Sequence, residues 1–384
     1  KLFHKMLPLL PLIVGIALAS LPSAMRRGIR LPVLLTCFVV FTVASYTWTT
    51  DRFGVIRHDI EFVAVAAAGW LVGAVFDRET LCRIFAIAMR VFVVVTIASL
   101  VFAHHWATVP AVDGAPGWHG PFGHKNGLGL EMAIGLIALW YERPQPRSRW
   151  LWLAVGVGLL LGSESGAGLA VVMIVVAVGV QAASARAAIR QGARRIVTLL
   201  TVFAVILGGF VAISDFPAAA SLLGKNSTLT GRTTIWGAVA GAIPARALQG
   251  YGFGGVWLST SGETAKLWDK IGFQVFEAHD AWLDLLLQLG IIGCVLMLLI
   301  VGKALIQGWR GFRDGIPGDA WAWLLLVALI ADGAVESGPL AGQGIFLVAM
   351  VAASFERAHR TSRHHRPVVT PVTFGLPRTT PRYP

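Results

Sequence analysis

The sequence predicts an all-α polytopic membrane protein with about 11–12 transmembrane helices and one large extracytoplasmic loop. Of its 384 residues 56% are hydrophobic and only 14% are charged, and the mean hydropathy is +0.70. Soluble domains carry about 25% charged residues. Because so much apolar surface cannot be hidden inside a water-soluble body, the composition excludes a soluble globular enzyme.

Eleven apolar runs are candidate spans, several of them near the lower length limit for crossing a bilayer. Backbone inside lipid must satisfy its own hydrogen bonds. The runs are rich in Leu, Val, Ala and Ile and show no period-2 alternation, so helices are favoured over a barrel. The runs are 7–24, 31–50, 60–76, 84–103, 126–141, 150–163, 166–184, 196–214, 281–306, 320–334 and 339–355.

Lysine and arginine set the expected orientation. Of the 32 such residues, 21 fall on one set of loops and on the C-terminal tail, 10 fall on the opposite set, and Arg90 lies within a span. The positive-inside rule places the first set in the cytoplasm. The net charge of +12 therefore indicates topology rather than a nucleic-acid partner. Lys1 is then outside, and since no initiator Met is present, one more upstream helix would give twelve spans.

This orientation divides the chain into four parts. They are an N-terminal bundle of about eight helices (1–214), a large extracytoplasmic loop with short helices (215–280), C-terminal transmembrane helices (281–355) and a cytoplasmic tail (356–384). The tail is rich in Arg, His, Pro and Thr, which predicts disorder. The large loop is rich in aromatic residues, among them Trp236, Tyr251, Phe253, Trp257, Trp268, Phe273 and Phe276, and is too long for a simple connection, so we expect the chemistry there.

Three sequence motifs lie in or beside the predicted external loops. Residues 120–129 read GPFGHKNGLG, residues 223–236 read LGKNSTLTGRTTIW, and residues 277–293 read EAHDAWLDLLLQLGIIG. In this order and topology they resemble the O-antigen ligase/polymerase superfamily, in particular its exopolysaccharide-production (ExoQ-like) branch. The resemblance covers roughly 118–345.

The resemblance implies a metal-independent, inverting glycosyltransferase with a GT-C-like helical architecture in a bacterial inner membrane. Its donor would be a polyprenyl-diphosphate-linked glycan and its acceptor a glycan or glycolipid, joined on the outer face without a cofactor. Family members bind the donor diphosphate through external arginines and activate the acceptor hydroxyl with a histidine, and Arg232 and His279 match those positions. Ligase and polymerase relatives share these residues, so the sequence does not distinguish a ligase from a polymerase.

The residues around Arg232 support an anion site independently. Thr230 is a good N-cap, which puts Arg232 in the first turn of a helix ending near Pro244, where free N–H groups favour anions. A planar guanidinium also suits a diphosphate. Further substrate-binding candidates are Lys225, Trp236 and Arg246, with Lys125 and Asn126 at the entrance of another helix. The structural alternative is a surface arginine at the bilayer.

His279 precedes Asp280, a plausible N-cap for the helix 281–306. Its reference pKa near 6.5 suits a general base. Glu277 or Asp280 could orient the ring, and the sequence does not choose between them. The structural alternative is a capping histidine. Asp332 and Glu336 match the polar patch that the resembling family carries before its final helix, with a structural role as plausible as a catalytic one.

Two other functions compete with glycan transfer by this route. A metal-dependent transferase would use Asp51, Asp59 and Glu61, whereas the large loop contains no Asp-x-Asp pair and the three cysteines have no metal-ligand spacing. The sequence thus predicts no metal. A glycolipid flippase would need charged residues at mid-membrane depth, and few exist. Relatives carry a second cation near Glu164, which this chain lacks.

Overall fold

The computed structural model describes residues 31–49, 52–108, 117–187, 192–193, 195–203, 232–338 and 343–364. Within these ranges the chain is helical, and the only β pairing is an isolated bridge between Thr108 and Trp118. The predicted all-α class is confirmed for these residues. The main helices are α1 (Val33–Ala44), α2 (Arg52–Val75), α3 (Arg78–Phe102), α4 (Lys125–Tyr141), α5 (Arg149–Gly162), α6 (Gly166–Arg186), α7 (Arg232–Ala242), α8 (Glu263–Ile271), α9 (Ala281–Arg313), α10 (Asp319–Gly333) and α11 (Gln343–His364).

Nine of the eleven apolar runs coincide with helices, α1 to α6 and α9 to α11. Run 7–24 lies outside the described residues, and run 196–214 is described only to residue 203. Among the residues that the structure describes, four helical segments are long and apolar enough to cross a bilayer, namely Val55–Val75, Arg78–Phe102, Gly166–Arg186 and Ala281–Arg313. These helices indicate a multi-pass membrane protein, and the count of 11–12 spans stays a prediction.

Glycines bring the helices of the bundle into close contact. A Cβ at Gly69 or Gly73 of α2 would overlap the backbone of Phe346 or Met350 on α11. Lipid supplies no hydrophobic force between helices, so close packing at small residues holds them together. Two further glycines act in the same way between α4 and α6, where a Cβ at Gly168 would lie 2.6 Å from the carbonyl carbon of Gly129.

Helix α9 is not the continuous helix that the sequence predicts over 281–306. Gly290 breaks it, with φ 63° and ψ −164°, a conformation adopted almost only by glycine. The carbonyl oxygen of Trp282 lies 3.9 Å from Sγ of Cys294. In an unbroken helix the twelve residues between them would span about 18 Å. The segment 281–289 therefore folds back toward the segment 291–313. The segment 291–313 is long enough to cross a bilayer without the residues before the break.

The second segment of α9 begins against the residues that connect α7 to α8. The N–H groups of Ile291 and Ile292 donate to the carbonyls of Ala247 and Leu248 at 2.8 and 3.2 Å. These bonds satisfy donors that a helix start leaves unpaired. The break thus gives the segment 281–289 a fixed position between the residues that connect α7 to α9 and the other long helices.

The residues between α7 and α9 have a hydrophobic core of their own. It joins α7, the short helix Gly255–Leu258, α8 and the first segment of α9, and its buried members include Ile235, Val239, Tyr251, Val256, Trp257, Leu267, Ile271 and Leu287. The main core of the bundle is a separate cluster. This small core between α7 and α9 supports the candidate site.

Candidate functional site

His279 lies at the start of α9 in a strained backbone conformation. Its φ is +51°, in the left-handed region that costs a residue with a Cβ about 1–2 kcal/mol. The neighbours hold it there. Asp280 Oδ1 accepts the N–H groups of Trp282 and Leu283, both at 2.9 Å, and Trp236 Nε1 donates to the carbonyl of Ala278 at 3.0 Å. Such strain occurs often at functional sites.

Glu336, in the turn after α10, joins the elements of the site. Its Oε1 accepts from Arg232 Nη2 at 2.8 Å and from Asn126 Nδ2 at 2.7 Å, while its Oε2 lies 3.2 Å from His279 Nδ1. Asn126 in turn accepts from the hydroxyl of Ser165 at 3.2 Å. The contact between α4 and α6 at Gly129 and Gly168 makes this last bond possible. One carboxylate therefore connects the bundle, α7 and His279.

Exposure within this cluster increases from the carboxylate to the histidine. The side chain of Glu336 is 13% exposed, that of Arg232 is 16% exposed and that of His279 is 32% exposed. The ring can therefore be reached by a ligand while the groups behind it are held in place. Glu277 supports it from the side, with Oε1 3.5 Å from His279 Nδ1.

The charges of the cluster act on one another. The hydrogen bond to Glu336 raises the pKa of His279 above its ordinary value, against the effect of burial, and the nearby Glu277 carboxylate adds to the rise. Burial alone would raise the pKa of Glu336, but the hydrogen bond from His279 and the charge of Arg232 outweigh it and lower that pKa. Burial raises the pKa of Glu277. Glu336 is thus the carboxylate held ionised beside the ring.

An ionised Glu336 determines the tautomer of neutral His279. A carboxylate only accepts hydrogen bonds, so Nδ1 must carry the proton and Nε2 keeps its lone pair. A histidine oriented in this way by a carboxylate is the arrangement that general bases use in hydrolases and transferases. The arrangement can take a proton from a hydroxyl placed near Nε2.

The other sequence candidates fall in different places. Lys125 opens α4 next to Asn126, so it lies beside the cluster along the chain. Arg246 is bound elsewhere, since its Nη1 donates to the carbonyl of Trp48 at 3.1 Å and its guanidinium lies over the ring of Tyr251. Lys225 and Thr230 are outside the described residues. Asp280 serves as the helix cap and not as a hydrogen-bond partner of the ring.

The inner half of the third motif has a structural role. Asp284 Oδ1 accepts from Trp257 Nε1 at 2.6 Å, and Gln288 Oε1 accepts the N–H of Gly254, also at 2.6 Å. Both bonds attach the residues between α7 and α8 to the first segment of α9. The motif therefore combines residues 277–280, which include the partner of Glu336, with residues 284–290, which anchor the segment.

A divalent cation is the alternative occupant of the cluster. Ligand atoms of Glu277, His279 and Glu336 lie within 4.8 Å of one another and form, among the described residues, a set that could hold a metal. However, Arg232 already places a fixed positive charge against Glu336. Asp59 and Glu61 are two residues apart on α2 and so point to different sides of that helix. The absence of a metal stays a prediction.

Sequence reasoning left Glu336 undecided and missed Ser165. The spacing of Asp332 and Glu336, two acidic residues at the end of an apolar run, was the available signal for the first. For Ser165 the signal was its place before an apolar run, since its hydroxyl caps α6 by accepting the N–H of Gly168 at 3.0 Å. Arg90, the intramembrane cation, forms an ion pair with Glu142 at the end of α4.

No family model matches the chain, and comparison with curated proteins gives a distant relative. The chain is 26% identical over 282 residues to the exopolysaccharide production protein ExoQ of Rhizobium meliloti (strain 1021). The match covers 70% of this chain and 63% of the relative. The chain is therefore a distant homologue of this exopolysaccharide production protein, and it spans less than two thirds of that relative's length.

Proposed function

We propose that this protein is a metal-independent, inverting glycosyltransferase of the O-antigen ligase/polymerase type. It transfers a glycan from a polyprenyl-diphosphate-linked donor to a hydroxyl of a glycan or lipid acceptor on the outer face of the cytoplasmic membrane. The observation that carries the proposal is Glu336, which binds the proposed base and the proposed donor-binding arginine with its two oxygens. The homology to ExoQ supports a role in polysaccharide production.

His279 acts as the base in this proposal. Its Nδ1–H donates to Glu336, so Nε2 accepts the proton of the acceptor hydroxyl as the oxygen attacks the anomeric carbon of the donor sugar. The same step breaks the bond between that carbon and the diphosphate oxygen, and direct displacement inverts the anomeric centre. Glu336 stabilises the imidazolium that forms.

Arg232 stabilises the leaving group. A guanidinium carries five N–H donors, so a single bond to Glu336 leaves others for the diphosphate. Because the guanidinium is planar and permanently charged, it can bind two phosphate oxygens at once. It offsets the negative charge that grows on the diphosphate as the glycosidic bond breaks, a task that a divalent ion performs in other transferases.

The proposal is tested by reconstituting the purified protein with a synthetic polyprenyl-diphosphate glycan and an acceptor glycan. We expect glycosidic product and free polyprenyl diphosphate to form in equal amounts, with inverted anomeric configuration and with an undiminished rate in EDTA. A rate that requires a divalent ion favours the metal-dependent alternative. Movement of labelled glycolipid across the bilayer without bond formation favours a flippase.

The sidedness is a separate part of the proposal. Ser261 and Gln145 are both exposed and belong to loops that the charge distribution places on opposite sides. A single cysteine at Ser261 should react with an impermeant thiol reagent in intact cells, and one at Gln145 should react only after lysis. The reverse pattern overturns the orientation.

A further inference from the structure

Two tryptophans and an arginine form a cluster where α4 ends and α5 begins. The rings of Trp140 and Trp150 lie edge to face, with their centroids 6.0 Å apart. The guanidinium of Arg149 lies over both rings, with Cζ 4.3 Å from the centroid of Trp140 and 4.9 Å from that of Trp150. Arg149 is only 8% exposed, whereas Trp140 and Trp150 are 47% and 66% exposed. The rings therefore hold a cation in place and are themselves open to the surroundings.

Within the part of the chain that the structure describes, Arg149 has no acceptor for the N–H groups of its side chain. Its Nε is buried without a hydrogen-bond partner. A guanidinium carries five N–H donors, and leaving a buried donor unpaired is unfavourable. The two rings stabilise the charge, but they supply no oxygen to which the N–H groups can donate. The guanidinium is therefore held ready for an acceptor that does not come from these residues.

The start of α5 adds further donors to those of Arg149. No side chain caps this helix, and no acceptor among the described residues binds the backbone N–H groups of Trp150 and Leu151. Free N–H groups and the helix dipole favour an anion at such a position. Because Arg149 is the first residue of the helix, its charge and these N–H groups lie in the same turn.

The surroundings of the cluster carry an excess of positive charge. Arg143 and Arg147 are exposed in the connection between α4 and α5, and Arg83 of α3 donates from its Nε to the carbonyl of Arg143 at 3.2 Å. The one carboxylate in that connection, Glu142, is 5% exposed and is already bound in an ion pair. An anion that approaches Arg149 is therefore attracted by its neighbours as well.

We propose that this cluster binds the phosphate group of an anionic phospholipid. Tryptophan is enriched where the hydrocarbon of a membrane meets the head groups, so the exposed rings of Trp140 and Trp150 indicate the depth of a lipid phosphate. A planar guanidinium stacked on rings can still offer its edge to two phosphate oxygens. Basic pockets between membrane helices bind anionic head groups in this way. Inorganic phosphate would have no contact for the two rings, which favours a lipid.

The lipid site is separate from the Glu336 cluster and does not depend on the proposed function. Asn126, which donates to Glu336, is at the other end of α4. The helix between Asn126 and Trp140 is about 21 Å long. A phospholipid at Arg149 therefore stabilises the connection between α4 and α5 and takes no part in glycan transfer.

The test compares two lipids with the same chains, of which only one has a phosphate. Binding of dioctanoyl phosphatidylglycerol and of dioctanoylglycerol to the purified protein in a neutral detergent is measured by native mass spectrometry. We expect the wild type to bind the phosphatidylglycerol about tenfold more tightly, the equivalent of ~1.4 kcal/mol. Arg149→Met should abolish most of this preference. The matched control Arg147→Met removes the same charge from an exposed position two residues away and should keep it.

A second variant covers the case that Arg149→Met fails to fold. Trp150→Leu keeps every charge and replaces a side chain that is mostly exposed, but it removes one of the rings under the guanidinium. It should also weaken the preference for phosphatidylglycerol. In the wild type, dioctanoyl phosphatidylglycerol should raise the melting temperature, because a ligand of the folded state stabilises it, and inorganic phosphate at the same concentration should not.

Three outcomes overturn the proposal. They are equal losses of preference in Arg149→Met and Arg147→Met, an unchanged preference in Trp150→Leu, and equal stabilisation by inorganic phosphate, which would indicate a general anion site. None of these measurements involves glycan transfer. A protein that binds phosphatidylglycerol as expected but forms no glycosidic product would therefore contradict the proposed function and leave the lipid site standing.

Discussion

Two arginine–carboxylate pairs lie at opposite ends of α10, and they differ in what surrounds them. At its start, Arg78 and Asp319 are 7% and 2% exposed, and Arg78 also donates to the carbonyl of Ser354. Beyond its end, Arg232 and Glu336 are 16% and 13% exposed and are joined by the more open His279. The first pair is closed by protein on every side that the structure describes. The second can exchange a partner for a ligand.

The comparison shows that a buried ion pair alone does not indicate a functional site. Arg78 connects α3, α10 and α11, where its guanidinium also lies over the ring of Phe355. All its interactions are between helices. We call Arg78–Asp319 the inner pair and Arg232–Glu336 the outer pair, after the sides of the membrane predicted for them. The outer pair adds a more exposed histidine in a strained backbone conformation. We expect substitutions at the inner pair to affect stability and substitutions at the outer cluster to affect transfer.

Replacing His279 should have the largest effect. His279→Ala removes the base, and general-base contributions are about 10²–10⁴-fold, so single-turnover transfer should fall by that factor while donor binding changes little. His279→Asn is the matched control, because asparagine tolerates the left-handed backbone at this position. Near-normal transfer by the Asn variant would make the site structural.

Breaking the inner pair should affect folding rather than chemistry. Arg78→Met leaves Asp319 buried without its partner, which costs about 3–5 kcal/mol. The apparent melting temperature in detergent should drop, and transfer per folded molecule should stay at the wild-type level. The double variant Arg78→Met with Asp319→Leu should recover most of the stability. A transfer defect in correctly folded Arg78→Met protein contradicts the division between the two ends.

Arg232→Lys tests whether the outer pair contributes more than charge. Lysine keeps a positive group near Glu336 but loses the planar fork for two phosphate oxygens. We expect transfer to fall about a hundredfold, comparable to the loss of one preorganised donor at a developing negative charge. The melting temperature should change little. A lysine variant with most of the wild-type rate means that the diphosphate binds elsewhere.

The sequence predicted the helices well and the site only in part. Composition and hydropathy suffice to predict α1 to α6, because an apolar run inside lipid satisfies its backbone hydrogen bonds by forming a helix. The break in α9 was missed because hydropathy does not report backbone angles, and Gly290 lies in an uninterrupted apolar stretch. Arg232 and His279 were predicted as site residues because they lie in the motifs at 223–236 and 277–293. Their connection through Glu336 depends on a contact about a hundred residues away in sequence, which no local pattern contains.

The smallest expected effect distinguishes the two carboxylates beside His279. Glu336 contributes most to the raised pKa of the ring and Glu277 less, in line with their distances of 3.2 and 3.5 Å from Nδ1. The positive charge of Arg232 lowers the pKa of the ring and so opposes the effect of both carboxylates. Since only the neutral ring accepts a proton, wild-type transfer should rise with pH through a midpoint above 6.5. Glu336→Gln removes the negative charge that favours the imidazolium, so its midpoint should move to lower pH.

Glu277→Gln should move the midpoint in the same direction by a smaller amount. The order of midpoints from high to low pH should therefore be wild type, Glu277→Gln and Glu336→Gln, each read from single-turnover rates at saturating donor. Glu336→Gln should also lower the plateau rate, because the ring loses the carboxylate that stabilises its charged form. If Glu277→Gln shifts the profile more than Glu336→Gln, then Glu277 orients the base. Glu336 would in that case serve mainly as the partner of Arg232, and the outer pair would resemble the inner one more closely than its exposure indicates.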